Sequence, residues 1–271
     1  SQGRILIESC YENTPAAKAG IKPGDILLKV GDKPVSSMST NEVVDLIKDT
    51  KEGETVSMTL ERGDQPYTVD VTIEEVEAIS VTGKMLENQI GYIRISEFTG
   101  VTAEQFKDAY GKLQDQGMNR LIIDLRSNPG GLVSGVCDTL REILPKGLIV
   151  YTEDKYGNRS EQNCDGKSPI SIPLAVLVNS SSASASEIFA GAVQDYGTGT
   201  IVGTVTYGKG AVQDTYQLKN GGAVKLTVSH YFTPKGNNIN GKGITPDVEI
   251  DMPDDSEEDV QLNKAKEILL H

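Results

Sequence analysis

Ser184 and Lys209 are the residues whose types and settings could do chemistry together. Residues 172–178 are an apolar run that predicts a buried strand, 179–186 a serine-rich polar turn, and 187–194 a helix. A hydroxyl at a strand-to-helix turn stands beside the unpaired N–H groups that begin the helix, which can stabilise an oxyanion. Serine becomes a nucleophile only when a base takes its proton, and the only imidazoles are those of His230 and His271. Residues 206–213 instead set Lys209 between Gly208 and Gly210, where the backbone can approach other elements closely and an amine can be buried. The chemistry would be acyl transfer, with a serine nucleophile and a lysine base that must be held in a setting favouring the neutral amine. The residues alone leave Ser182, Ser184 and Ser186 open, one as a turn residue and Ser186 as a helix cap.

The elements that must position this pair follow from the surrounding pattern. Residues 90–95 and 120–125 read as strands, 102–116 as a helix with Phe106, Ala109, Tyr110 and Leu113 on one face, and 132–144 as an apolar helix. Strands alternating with helices favour an α/β (α+β) mixed fold, a sheet covered by helices. Gly130 and Gly131 end one strand and precede a helix, so their N–H groups can face a ligand without side-chain obstruction. Before residue 79 the pattern is different. Strands at 4–9 and 25–30, a short helix ended by Gly20, and a helix at 42–48 carrying Val43, Val44 and Ile47 mark a separate module.

Several motifs in this order resemble the C-terminal processing proteases, the tail-specific serine peptidases of family S41. Asn179-Ser-Ser-Ser-Ala-Ser-Ala-Ser-Glu187 is similar to the family's nucleophile segment and Tyr207-Gly-Lys-Gly-Ala-Val-Gln213 to its lysine segment. Residues 91–98, 125–132, 231–236 and 243–247 fit as well, so the resemblance covers nearly the whole chain. It implies a ClpP/crotonase-like β-α protease core with Ser184 as nucleophile, Lys209 as general base and Gln213 orienting the lysine. Gly130 and Gly131 are assigned to the oxyanion hole, with the Ala185 N–H as the second donor, as in other serine hydrolases.

Thr14-Pro-Ala-Ala-Lys-Ala-Gly-Ile-Lys-Pro-Gly-Asp25 is similar to the corresponding segment of PDZ domains. Such domains hold a free peptide carboxylate in a nest of backbone N–H groups and add the peptide as a strand. The apolar Gly-rich loop and strand that form the nest are expected before Gly3 and are absent, so the module is expected to lack an edge of its sheet. The expected organisation is a truncated PDZ-like domain at 1–78, a protease core at 79–252, and an acidic linker with a short helix at 253–271.

Composition limits the alternatives. A formal charge of −13 argues against nucleic acid as a partner, which would need a basic face, and against adhesion to anionic lipid. Residues 251–259 read as a solvated acidic connector, not a metal site, and no metal or other cofactor is implied. The three cysteines indicate no disulfide framework; Cys137 is expected in the core and Cys164 in a polar loop. The chain begins at Ser1 and reads as part of a longer protein, with any membrane association lying in segments outside it. Protein or peptide substrates with free C-termini, a homo-oligomer, and an extracytoplasmic site in periplasm or cell envelope rest on the resemblance. The competing readings are a PDZ-containing peptide-binding module without catalysis, and a hydrolase that uses His230 as base. In the second reading His230 must reach Ser184, whereas the sequence places it within a strand at 224–232.

Overall fold

Val56, Met58 and Leu60 alternate with polar residues, and this period of two makes residues 55–62 a half-buried strand. It is the centre of the first of two units into which the chain divides, 1–78 and 79–271. The computed structural model describes every residue except 1–3, 9, 11–13, 77–78, 219–221 and 254–257, and the side chain of Asp214.

The first unit contains β1 (Ile5–Leu6), α1 (Pro15–Lys18), β2 (Ile26–Val30), β3 (Lys33–Pro34), α2 (Thr40–Lys48), β4 (Thr55–Arg62) and β5 (Gln65–Thr72). Its five-stranded antiparallel sheet runs β1-β2-β4-β5, with β3 also on β2. β1 is an outer edge where Leu6 is 55% exposed, and it is here that the likeness to PDZ modules expects a further strand. α2 is started by a reciprocal cap: the Glu42 N–H donates to Ser39 Oγ and the Ser39 N–H to Glu42 Oε2. Val43 is buried beneath it and Ile47 packs on the core, while Val44 turns to solvent.

The buried Asp25 closes the Lys-Pro-Gly-Asp turn by accepting the Lys22 N–H at 2.7 Å. It also takes Arg62 Nε at 2.6 Å and the Tyr67 hydroxyl at 2.6 Å. These donors, the Arg62 guanidinium first, outweigh burial and hold the Asp25 carboxyl well below the usual carboxylate range.

The second unit contains β6 (Val81–Met85), β7 (Ile90–Ile95), α3 (Thr102–Asp115), β8 (Arg120–Asp124), α4 (Val133–Arg141), β9 (Gly147–Asp154), β10 (Arg159–Cys164) and β11 (Leu174–Val178). There follow α5 (Ala185–Tyr196), β12 (Thr200–Gly203), β13 (Ala211–Gln217), β14 (Ala223–Phe232), β15 (Val248–Glu249) and α6 (Val260–Leu270). The main sheet has the order β15-β12-β11-β8-β7-β6, parallel except for β6. A parallel strand is covered on both faces, which is why β11 is apolar at every position. Leu174, Val176 and Val178 face the core with α3, α4 and α5; Ala175 and Leu177 face Ala265 and Leu269 of α6. α6, grouped by sequence with the acidic segment, is thus a layer of the core.

A second, antiparallel sheet runs β10-β9-β14-β13. Cys164, expected in a polar loop, ends β10 and is buried, its thiol directed at the Leu144 carbonyl oxygen 3.3 Å away. Cys137 lies in the core as expected, and burial pushes its thiol up to about 11. No helix among the described residues is long and apolar enough to cross a membrane.

Candidate active site

The turn between β11 and α5 is set by serine hydroxyls with different occupations. Ser182 Oγ donates to the Leu125 carbonyl at 2.8 Å and Ser186 Oγ to the Asn128 carbonyl at 3.0 Å, both buried. Among the described residues no carbonyl receives the Ser184 hydroxyl, and Ser184 adopts φ 55°, ψ −113°. That conformation is costly for a residue with a Cβ, by about 1–3 kcal/mol, and is held only where surrounding bonds impose it. Ser184 is itself the residue before the first turn of α5; Ser186, the expected cap, lies inside that turn.

Glu187 supplies the imposing bonds. It is fully buried, and its carboxylate accepts four donors. Oε2 takes the Ser184 N–H and the Lys209 N–H, each at 2.8 Å. Oε1 takes the Thr206 hydroxyl and the Gly208 N–H, each at 2.6 Å. The Tyr207 N–H adds a bond to the Ser182 carbonyl at 3.0 Å. The serine turn and the lysine loop are therefore joined through one carboxylate, and the backbone nitrogens of Ser184 and Lys209 lie no further apart than twice that bond length.

The lysine loop needs its glycines because residues 239–243 pack against it. A Cβ at Gly208 would lie 3.2 Å from backbone atoms of Gly241, Lys242 and Gly243, at φ +87°. One at Gly210 would overlap the Asn240 backbone. Lys209 is exposed, so the burial of its amine expected from the sequence is not seen: the packing of residues 239–243 covers the loop at its glycines and leaves the lysine at the surface. Gln213 is likewise exposed, on β13 beside a register slip in the β13–β14 ladder. Among the described residues no hydrogen bond joins the Ser184 hydroxyl, the Lys209 amine and the Gln213 amide. His230 pairs with Ala211 and Glu153 across its sheet, and its buried Nδ1 has no hydrogen-bond partner among the described residues.

Gly130 and Ala185 face each other. A Cβ on Gly130 would stand 2.7 Å from the Ala183 carbonyl oxygen, 2.8 Å from Ser184 Cβ and 2.9 Å from the Ala185 nitrogen. The Gly130 N–H, expected as an oxyanion donor, is already given to Asn128 Oδ1 at 2.8 Å, because the buried Asn128 closes a local turn with it. Gly131 lies against Phe98, whose carbonyl a Cβ there would overlap, and its N–H has no partner among the described residues. Asn128 ties the two loops further: its carbonyl accepts the Ala183 N–H at 3.0 Å and its amide donates to the Ile95 carbonyl at 2.9 Å.

The start of the glycine loop is fixed from below. Buried Asp124 accepts the Arg126 N–H at 2.9 Å, Arg126 Nη2 at 2.7 Å and the Tyr92 hydroxyl at 2.6 Å. Burial, with Asp124 beside it, pushes the Tyr92 hydroxyl up to about 12. Arg126 Nη2 also reaches Asp259 at 2.8 Å, and Asp259 accepts the Leu262 N–H at the start of α6. Asp259, read from sequence as part of a solvated connector, is thus a structural partner.

Glu187, Asn128 and Thr206 were not singled out by the sequence. Glu187 carried one signal, its place three residues after Ser184, the spacing of a helix-capping pair.

Comparison with known proteins agrees with this architecture. The model of peptidase family S41 matches residues 89–250 and that of a PDZ domain residues 6–62. The chain is 37% identical over 254 residues to the carboxy-terminal processing protease CtpA of Bacillus subtilis (strain 168), covering 93% of this chain and 54% of that protein. It spans about half the length of the curated relatives it matches. Among solved structures, the photosystem II D1 C-terminal processing protease superposes with a TM-score of 0.60 at 32% identity, over 93% of this chain and 69% of that one. The tricorn protease shares the fold, with a TM-score of 0.56 at 19% identity over 100% of this chain and 28% of that one. With more than half of its residues matched by that family's model, the chain belongs to peptidase family S41 and carries a PDZ domain at its N-terminal side.

Proposed function

We propose that this chain is a serine endopeptidase in which Ser184 is the nucleophile and Lys209 the general base. It cleaves protein substrates near their C-termini or in unstructured segments. The observation that carries the reading is the shared Glu187 oxygen, which holds the strained serine and the lysine loop to one point.

Lys209, as a neutral amine, takes the Ser184 proton while the hydroxyl attacks a peptide carbonyl. The Ala185 N–H at the head of α5, with the Gly131 N–H opposite, receives the oxyanion. The Gly130 N–H joins them once Asn128 releases it. The lysine ammonium then protonates the leaving amine, and water activated by the same amine frees the acyl-enzyme. Gln213 steadies the lysine in the substrate-bound state, when catalytic hydrogen bonds tighten.

The PDZ unit controls access. A cleft lined by Ile5, Leu6, Ile7 and Thr40, between β1 and the start of α2, is where a peptide strand adds. Kinship with the bacterial processing proteases supports an extracytoplasmic site of action.

The test is cleavage of casein by the chain, by Ser184→Ala and by Lys209→Ala, with product masses recorded. Loss in both variants supports the pair. Cleavage that survives Lys209→Ala removes lysine as the base, and an inert parent chain whose Ser184 resists an acylating probe favours a non-catalytic peptide-binding module.

A further inference from the structure

β13 begins two residues after Lys209, contains Gln213, and among the described residues is hydrogen-bonded as a strand on one side only, to β14. Its ladder has a defined phase. At one end the Leu218 N–H donates to the Gly222 carbonyl and at the other the Tyr231 N–H donates to the Gly210 carbonyl, each at 2.7 Å. Bonded and non-bonded pairs alternate in an antiparallel ladder. The even-numbered residues of β13 therefore spend their N–H and C=O on β14. Ala211, Gln213, Thr215 and Gln217 turn theirs to the open edge. The register slip does not upset this, because the extra residue lies on β14, where Val228 is skipped between Thr227 and Ser229.

Free edges are usually blunted by charge, proline or a bulge; β13 carries Asp214 and lies opposite the β14 bulge, but its outward-bonding positions hold neither charge nor proline. β10, the opposite edge of the same sheet, carries Arg159 and Glu161. The four residues with outward peptide groups on β13 carry no charge. β9 pairs with β14 only at residues 229–232, so beyond that point β13 and β14 continue as a two-stranded ribbon. On it Tyr216 and Val224 are cross-strand partners and Leu218 and Leu226 stand nearby, all four exposed. Two strands alone are marginal in water, and a long edge whose outward-bonding residues are uncharged invites a third.

We propose that the outer edge of β13 is the strand to which an extended substrate polypeptide adds, leading its scissile bond to Ser184. The proposal rests on the proteolytic reading and names what that activity recognises. Continuity fixes the occupant: the edge runs into the loop whose Lys209 N–H shares an oxygen with the Ser184 N–H. Seven residues of strand span roughly 23 Å. Recognition through peptide groups tolerates varied side chains and excludes segments whose own peptide groups are already paired, so unfolded chain is selected over folded. The exposed apolar side chains of the ribbon add contact without demanding a particular sequence.

The experiment measures amide hydrogen exchange in the Ser184→Ala chain with and without a casein-derived peptide, whose binding is followed separately by fluorescence anisotropy. Exchange at Ala211, Gln213, Thr215 and Gln217 is expected to slow about tenfold or more, with little change at Val212, Asp214 and Tyr216, already bonded to β14. Peptide that binds and leaves those four amides unchanged overturns the proposal. So does slowing that appears with protein concentration alone, which would give the edge to a second copy of the chain. Thr215→Pro removes one outward donor at an edge position that tolerates proline. It is expected to raise KM for casein about tenfold with kcat held within about threefold, and an unchanged KM overturns the proposal. If the exchange pattern persists while the parent chain neither cleaves casein nor accepts an acylating probe at Ser184, strand addition stands and the proteolytic reading falls.

Discussion

Ser184 and Lys209 donate their backbone N–H groups to the same atom, Oε2 of Glu187, each at 2.8 Å. The relationship is between main-chain groups, so it fixes the placement of both loops whatever their side chains do. The serine is held at positive φ, and its neighbours Ser182 and Ser186 spend their hydroxyls on buried carbonyls.

Glu187→Gln replaces one acceptor oxygen by a donor that must face an N–H or a hydroxyl. Leaving buried donors unpaired costs about 1–3 kcal/mol each. We expect kcat for casein to fall at least about a hundredfold, with a lowered melting temperature. A variant that melts earlier and cleaves at the parent rate would separate the bond from catalysis.

Gly130→Ala places a methyl group against Ala183, Ser184 and Ala185 at once, at a φ of +108° that alanine resists. The turn must then shift. The rate of Ser184 labelling by a small acylating probe should drop about a hundredfold or more, and equal labelling would show that the site accommodates a wider gap than the one described.

His230→Gln is expected to leave cleavage within about threefold of the parent, because His230 pairs with Ala211 and Glu153 and, among the described residues, makes no bond to the serine turn. A loss of several thousandfold would move the base from Lys209 to the imidazole.

The first unit should be acid-sensitive through Asp25. Its carboxyl is depressed in the folded chain by Arg62, against an unfolded value near ~3.9. Its stabilisation is therefore complete above that value and lost as pH falls through the lower folded one. Asp25→Asn should lower the melting temperature of residues 1–78 at neutral pH by about 5 °C or more and flatten its dependence below about pH 4. Parallel acid-melting curves for parent and variant would dismiss the ion pair as the cause.

What the sequence revealed depended on whether a signal was local. A continuous apolar run reported the strand read at 172–178, which begins at Leu174, and helical spacing reported the buried face of α3 through Phe106 and Leu113. Resemblance singled out Ser184 and Lys209, and the positive φ of Ser184 then set it apart from Ser182 and Ser186. Glu187 stayed unseen as a site residue because three of its four donors lie some twenty residues away. Residues 159–164 were unread for a different reason: Arg-Ser-Glu-Gln-Asn-Cys has no apolar alternation, and pairing with β9 makes it a strand. The same pairing buries Cys164. Gly130 was read as an oxyanion donor, and no pattern could tell that Asn128 takes its N–H.

The contact of α6 with the far side of the main sheet sets an order of events during synthesis. A chain emerging N-terminus first exposes Ile90, Ile122, Ala175, Leu177 and Val202 long before Ala265 and Leu269 arrive to cover them. Arg126 and Asp124 likewise wait for Asp259. The unit bearing Ser184 therefore cannot finish its core until α6, made some eighty residues after the serine, has folded back onto the sheet.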